Sequence, residues 1–125
     1  MNRISKEYIQ EMSFGKICAQ INYAGEDLHI LLTGGSRPHI GCTVLALPRP
    51  SLAGNGLGSA TSSVLNVTGH KDEQLCRYLA EQAASFGKMT VVCSGGFHED
   101  DITAAQIQEV QEAVRILTEN IKEDL

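Results

Sequence analysis

Residues 60–93, ATSSVLNVTGHKDEQLCRYLAEQAASFGKMTVVC, decide the fold of this chain because their apolar pattern changes period twice. Residues 60–68 are rich in Thr, Ser and Val and predict a β-strand. From residue 72 to residue 86 the apolar side chains recur at helical spacing, and residues 89–93 predict a second, short, buried strand. A strand, a helix and a strand in this order are typical of a domain that packs helices against a sheet.

Further elements lie on both sides of this unit. Upstream, residues 14–23 alternate between apolar and polar side chains, a turn follows, and residues 28–32 resume as a strand, which indicates a hairpin. Residues 40–47, IGCTVLAL, are apolar on both faces, as in a strand at the middle of a sheet. Downstream, Thr103-Ala-Ala-Gln106 predicts a capping box that opens a long helix. The predicted order is β-β-β-β-α-β-α.

The predicted fold class is therefore α/β (α+β), with a sheet of about five strands and two helices on one face. A chain of 125 residues has the common size of one domain. We expect a single domain over residues 1–125, with residues 1–12 as an N-terminal arm.

Composition and charge argue against several classes of protein. The net charge of −5 argues against a general affinity for nucleic acid or anionic membranes. No apolar run is long enough to span a bilayer, and the charged N-terminal residues lack the apolar region of a signal peptide. The four cysteines form no CxxC pair and lie within apolar patterns, where Cys usually acts as a small buried hydrophobe. We expect a reduced, soluble, cytoplasmic protein.

Three of the four histidines follow glycine-containing turns at the ends of predicted elements, in the segments GGSRPH (34–39), GHKD (69–72) and GGFHED (95–100). The last two segments each stand between a strand and a helix. If those two strands run parallel, their loops share one edge of the sheet, where open α/β sheets tend to bind ligands. The three loops are the candidate functional region.

The residue types in these loops favour an anionic ligand. Glycine allows close backbone approach, and a helix start offers unpaired N–H groups and a positive dipole end. Arg37 and Lys71 add full positive charges, and Arg37 is able to hold a phosphate or carboxylate through two hydrogen bonds. The alternative is structural, with Asp72 and Asp100 or Asp101 as helix caps and Lys71 as a solvated charge.

Two further kinds of chemistry remain open for the same residues. His39, His70 and His98 offer three imidazoles for a metal ion, but they lack an HxH or HExxH spacing, so this signal is weak. An enzyme that uses its histidines for acid–base chemistry is the other alternative, with His70 and His98 as the candidate catalytic residues.

Three segments of the chain resemble the LpdD-like family, the small D subunit of gallate decarboxylase: GGSRPHIGCTVLALPRPSL, SATSSVLNVTGHKDEQLCRYLAEQAA and VVCSGGFHEDDIT. Members of this family are regarded as prenylated-flavin chaperones of UbiD-type hydroxyarylic acid decarboxylases. The resemblance runs from about Gly34 to Thr103. It departs from the family pattern at residues 96–100, where a Gly-Ile-His sequence and a later Asp are expected.

The resemblance implies a fold similar to that of small proteasome-assembly chaperones and a homodimer. It also implies an accessory protein, not an enzyme, that binds prenylated flavin mononucleotide or assists its maturation or delivery, with a UbiD-type decarboxylase as partner and with no metal. An interaction subunit without any ligand is the remaining alternative. The cofactor-binding residues expected from the loops and the family pattern together are Arg37, His39, Gly41, His70, Lys71, Asp72, His98 and Asp100.

Overall fold

A computed structural model describes residues 5–51, 58–67 and 73–125 of the chain. It contains a sheet and two helices, as the α/β prediction requires, but the sheet has six strands instead of five. In chain order the elements are β1 (Lys6–Met12), β2 (Gly15–Ala24), β3 (Asp27–Gly35), β4 (Cys42–Pro50), β5 (Gly58–Asn66), α1 (Glu73–Gly87), β6 (Val91–His98) and α2 (Ala104–Glu123).

The additional strand is β1, which lies within the predicted N-terminal arm. It pairs in antiparallel register with β2, from Lys6 opposite Ile21 to Met12 opposite Gly15. The sequence KEYIQEM gives no clean alternation, because Gln10 stands between Tyr8 and Met12 on its half-buried side. Within the predicted N-terminal arm, these residues therefore form an edge strand.

The strands lie in the order β1-β2-β3-β6-β4-β5. The β3–β6 pair is parallel, and β6–β4 and β4–β5 are antiparallel. Consequently β3, β5 and β6 all point the same way, although β4 separates β5 from β6. The carboxyl ends of these three strands and the start of β4 therefore share one edge of the sheet.

Both helices cover the same face of the sheet, as predicted. The register places Ile21, Ile30, Cys93 and Val44 side by side across four strands, and all four are buried. Helix α1 packs over β4, β5 and β6, and α2 packs over β1 and β2. The two helices bury eleven residues, which are Cys76, Leu79, Ala80, Ala83, Ala84, Val110, Ala113, Val114, Leu117, Thr118 and Ile121. Burial of this apolar layer drives the helices onto the sheet.

The ends of the helices follow local signals that the sequence contains. The predicted capping box of α2 is present: the Gln106 N–H donates to Thr103 Oγ1, and the Thr103 N–H donates to Gln106 Oε1. Asp100 and Asp101 are therefore not the N-caps of this helix. All four cysteines are free thiols.

The opposite face of the sheet carries exposed leucines. Leu65 on β5 is 77% exposed, and on β4 Leu45 and Leu47 are 40% and 48% exposed. Leu45 lies directly opposite Val92 of β6, so the apolar surface continues across neighbouring strands. Neither helix of the described part is long and apolar enough to cross a membrane.

Candidate functional site

The candidate site lies at the edge where β3 and β6 end and β4 begins. Gly35, the last residue of β3, is paired in register with His98, the last residue of β6. The segments that follow these two strands therefore leave the sheet side by side. The structure therefore brings together segments 34–39 and 95–100, two of the three segments of the candidate region.

Arg37, His98 and Asp100 form a contact cluster at this edge. Arg37 Nη2 donates to Asp100 Oδ1 at 2.6 Å and lies 2.9 Å from His98 Nε2, and His98 Nε2 lies 2.9 Å from the same Asp100 oxygen. Hydrogen bonding to His98, followed by that to Arg37, lowers the pKa of Asp100 below its usual value. The side chains of Arg37 and Asp100 are about two thirds exposed, so a solute can reach them.

His39 stands next to this cluster. Its Nδ1 lies 3.1 Å from the carbonyl oxygen of Arg37, which fixes Nδ1 as the donor. The rings of His39 and His98 are 6.5 Å apart between centroids and nearly perpendicular. Two of the three predicted histidines are therefore neighbours, together with Arg37 and Asp100.

Two glycines make this close packing possible. A Cβ at Gly96 would lie 2.7 Å from His39 Nε2 and 2.9 Å from the His39 carbonyl oxygen. Gly35 has a φ of +82°, and a Cβ there would lie 2.0 Å from the carbonyl oxygen of His98. From the sequence we expected these glycines to let the backbone approach a ligand. In the structure Gly96 leaves room for the His39 side chain, and Gly35 leaves room for the backbone of His98.

Gly41 is buried and belongs to the backbone of this edge. Its N–H donates to the Gly95 carbonyl at 2.8 Å, and its carbonyl accepts from the Val67 N–H at 2.8 Å. A ligand would therefore find the Gly41 N–H already occupied. The role of this residue is to join the start of β4 to the ends of β6 and β5.

His70, Lys71 and Asp72, the third predicted loop, lie outside the described residues. The residues that flank this segment are held at the same edge of the sheet: Asn66 pairs with Cys42 at the start of β4, and its side-chain amide donates to Glu73 Oε1 at 2.8 Å. The predicted roles of these three residues stay predictions.

The helix start contributes less to an anion site than the sequence suggested. The capping box of α2 already satisfies the N–H of Gln106 with the Thr103 hydroxyl. Among the described residues, Arg37 supplies a positive charge to the cluster, next to the His98 ring. Phe97 packs edge-to-face on Phe14, with ring centroids 6.1 Å apart.

The predicted metal alternative gains no support from the described residues, which contain no group of three or more His, Cys, Asp or Glu side chains able to hold a metal ion. His39 and His98 are close enough to be two members of such a group, but His70 belongs to the segment that is not described. The cluster brings together one guanidinium and two imidazoles, and its one carboxylate, Asp100, is already paired with Arg37, so the cluster suits an anion better than a cation.

A separate groove of about 390 Å³ lies between the two helices. Leu75, Tyr78 and Val114 line it together with glutamine side chains. Its arginine, Arg115, is bound by both carboxylate oxygens of Glu112. The groove contains none of the residues that the sequence singled out, so size alone does not identify the functional site.

Comparison with known proteins agrees with the fold. The structure is similar to a chain in the crystal structure of a chaperone complex for yeast 20S proteasome assembly, with a TM-score of 0.56 and 12% sequence identity over 94% of this chain and 91% of that chain. At this level of identity the similarity concerns the fold alone. A comparison with curated proteins gave no match. Residues 11–125 match the prenylated flavin chaperone LpdD-like domain, and the chain therefore belongs to that family.

Proposed function

We propose that this protein binds prenylated flavin mononucleotide and assists its maturation or delivery for a UbiD-type hydroxyarylic acid decarboxylase, as an accessory protein without a reaction of its own. The observation that carries the proposal is the exposed cluster of Arg37, His98 and Asp100 at the sheet edge, in a chain of the prenylated flavin chaperone family. The cluster provides a cationic donor at the sheet edge where β3, β5 and β6 end.

The phosphate of the flavin nucleotide is the group that suits Arg37. A guanidinium has five N–H donors in a planar fork and binds phosphate oxygens in pairs. In the described part of the chain Arg37 uses only Nη2 for side-chain contacts, which leaves Nε and Nη1 to donate to a ligand. Lys71 of the third predicted loop would add a second charge.

The ring system of the cofactor would then extend over the face of the sheet that the helices leave open. His98 and Gly96 alternate along β6 with residues of the helix-covered face, so they lie on the open side, and Ser94 and Val92 continue this row. Thr43 Oγ1 and Ser94 Oγ are 2.9 Å apart beside it. This row offers hydroxyl groups near the cluster and aliphatic side chains farther away, which suits a flavin with an apolar prenyl-derived ring.

His98 is the group that would exchange protons with the bound cofactor, together with His70 if the predicted role of His70 holds. An imidazole changes its charge near neutral pH, and it passes a proton without any metal. The cofactor supplies the chemistry of the decarboxylase, and the residues of this chain would hold it and protect it until transfer.

We also propose that the protein is a cytoplasmic homodimer in which the open faces of two copies pack together, and the exposed leucines of the open face support this contact. Apolar patches rimmed by polar side chains are the usual mark of an interface. A second copy placed over Leu45, Leu47 and Leu65 would also cover the cofactor where it lies along the open side of β6. To receive the cofactor, the decarboxylase would then have to compete with the second copy for this surface.

A spectral titration of the protein with prenylated flavin mononucleotide tests the proposed function. We expect saturable binding to the unsubstituted protein, and an affinity about ten- to a hundredfold lower for Arg37→Met, the loss typical of a charge-assisted hydrogen bond. The matched control is Arg115→Met, because Arg115 is also exposed and ion-paired but lies on the helical layer. Absence of binding by the unsubstituted protein, or equal affinities of the two variants, would refute the proposal.

A further inference from the structure

The contacts among Arg37, His98 and Asp100 cannot all be favourable at once. His98 Nε2 lies 2.9 Å from both Arg37 Nη2 and Asp100 Oδ1. If Nε2 carries a proton, it donates to Asp100 and faces another donor at Arg37. If Nε2 is bare, it accepts from Arg37 and faces another acceptor at Asp100. In both states the cluster contains one repulsive pair, so its resting arrangement is a compromise.

The ion pair in this cluster is also easy to replace. Arg37 and Asp100 meet through a single nitrogen and a single oxygen, not through the paired bonds of a fork, and their side chains are 67% and 66% exposed. Ion pairs with this exposure are weak, because water competes for both partners. The carboxylate of Asp100 is paired with the same guanidinium that an incoming anion would bind.

We propose that Asp100 is an internal ligand of Arg37, which holds the guanidinium in place before an anion binds and is displaced by the phosphate of the incoming ligand. This inference rests on the proposed function, since it takes Arg37 as the group that receives the anion. It adds a role for Asp100 as a positioning residue that competes with the ligand and does not bind it.

The exchange favours phosphate over a simple carboxylate. Replacing Asp100 by the carboxylate of a ligand exchanges one monoanion for another and gains little. A phosphate carries more negative charge and three acceptor oxygens, so it accepts from Arg37 and from a protonated His98 through different oxygens. The repulsive contact at Nε2 is then removed, because donor and acceptor no longer share one atom.

The test uses inorganic phosphate as the probe and the side-chain NMR signals of Arg37 and His98 as the measurement. In Asp100→Asn we expect phosphate to bind about two- to fivefold more tightly than in the unsubstituted protein, the gain that corresponds to releasing one exposed ion pair. The matched control is Asp101→Asn, which removes the same charge one residue away. Asp101 makes no hydrogen bond or ion pair with other described residues, and Asn tolerates its φ of +54°.

The outcomes separate the alternatives. Tighter binding in Asp100→Asn but not in Asp101→Asn supports the inference. Equal gains in both variants would show a general charge repulsion and would overturn the inference. Weaker binding in Asp100→Asn would show that Asp100 only orients Arg37 and does not compete with phosphate, which would also overturn it. Signals that do not move with phosphate in any variant would overturn it as well. Acetate titrated beside phosphate should bind the unsubstituted protein at least fivefold more weakly, and equal binding would overturn the preference for phosphate.

Combined with the flavin titration, this experiment distinguishes failure of the inference from failure of the proposed function. Tighter phosphate binding in Asp100→Asn together with no binding of prenylated flavin mononucleotide would sustain the inference and remove the cofactor. Flavin binding that depends on Arg37, without any gain in Asp100→Asn, would sustain the function and remove the role of Asp100.

Discussion

At the scale of single residues, Gly96 is the position on which the histidine pair depends. Any side chain there meets the ring and the carbonyl of His39, at 2.7 Å and 2.9 Å from its Cβ. We predict that Gly96→Ala lowers the free energy of unfolding by about 1–3 kcal/mol, the usual cost of overpacking, and weakens flavin binding in parallel. Urea denaturation and the spectral titration measure the two effects.

A double-mutant cycle with His39→Ala provides the control for this prediction. Removal of the imidazole frees part of the space, so Gly96→Ala should cost less stability in the His39→Ala background. The same cost in both backgrounds would show that the His39 ring does not limit the space at Gly96.

At the scale of the elements, strand β1 is fastened to the end of α2 through Asp124. Lys6 Nζ donates to Asp124 Oδ2 at 2.6 Å, and the Tyr8 hydroxyl donates to the same oxygen. Farther along, the Ser13 hydroxyl donates to Glu109 Oε2 at 2.7 Å. These contacts attach the β1–β2 hairpin to a helix that lies about a hundred residues away in sequence.

The Tyr8 contact gives a pH prediction. Burial, and then the hydrogen bond to Asp124, raises the pKa of Tyr8 to about 12. Because the folded protein holds this proton more tightly than the unfolded chain, the stabilisation is complete below about pH 10 and is lost as the pH rises towards about 12. The free energy of unfolding should therefore fall more steeply over this range in the unsubstituted protein than in Tyr8→Phe. Parallel curves in urea denaturation would contradict the prediction.

Asp124→Asn completes this test, since it removes a charge that raises the pKa of Tyr8 without changing the tyrosine. The ultraviolet absorbance of the phenolate should show a lower pKa for Tyr8 in this variant. An unchanged titration would show that burial alone raises the pKa of Tyr8 and that Asp124 has no part in it.

The same contacts explain why the strand count could not be read from the sequence. The elements that the sequence predicted correctly carry their own signals: alternation in residues 14–23, helical spacing from residue 72 to 86, and the capping box at Thr103. Residues 6–12 carry none, because the strand forms only once β2 and α2 are present to pair with it. Its existence depends on contacts between distant parts of the chain.

The candidate site was predictable to a similar degree. Chain order indicated that the loops at residues 69–72 and 95–100 share an edge if their strands run parallel. The structure brings Arg37, His39, His98 and Asp100 together at the edge where β3 and β6 end. The choice of Asp100 over Asp101 could not be made from sequence, because it depends on the left-handed turn at Asp101. The same holds for the Gly96–His39 contact, which requires the register of β6.

At the scale of the whole molecule, the open face of the sheet is the surface through which we propose that the protein forms a homodimer. We predict that Leu45→Lys combined with Leu65→Lys weakens a homodimer by about a hundredfold or more, because each charge would lie in the apolar centre of the interface. Analytical ultracentrifugation measures the change. Ile107→Lys is the control, since Ile107 is 44% exposed on α2, which packs on the other face. A monomeric unsubstituted protein, or a dimer that both variants retain, would contradict the prediction.

The central claim is that prenylated flavin mononucleotide binds at the sheet edge that holds Arg37, His39 and His98. The most direct test is an NMR titration of the labelled protein with this cofactor, followed at the side chains of these three residues and at Tyr78 in the groove between the helices. We predict that the signals of Arg37, His39 and His98 shift and saturate with the same dissociation constant as the flavin spectrum, while the signals of Tyr78 stay unchanged. A flavin spectrum that saturates while Tyr78 shifts and the signals of the three sheet-edge residues do not move would contradict it.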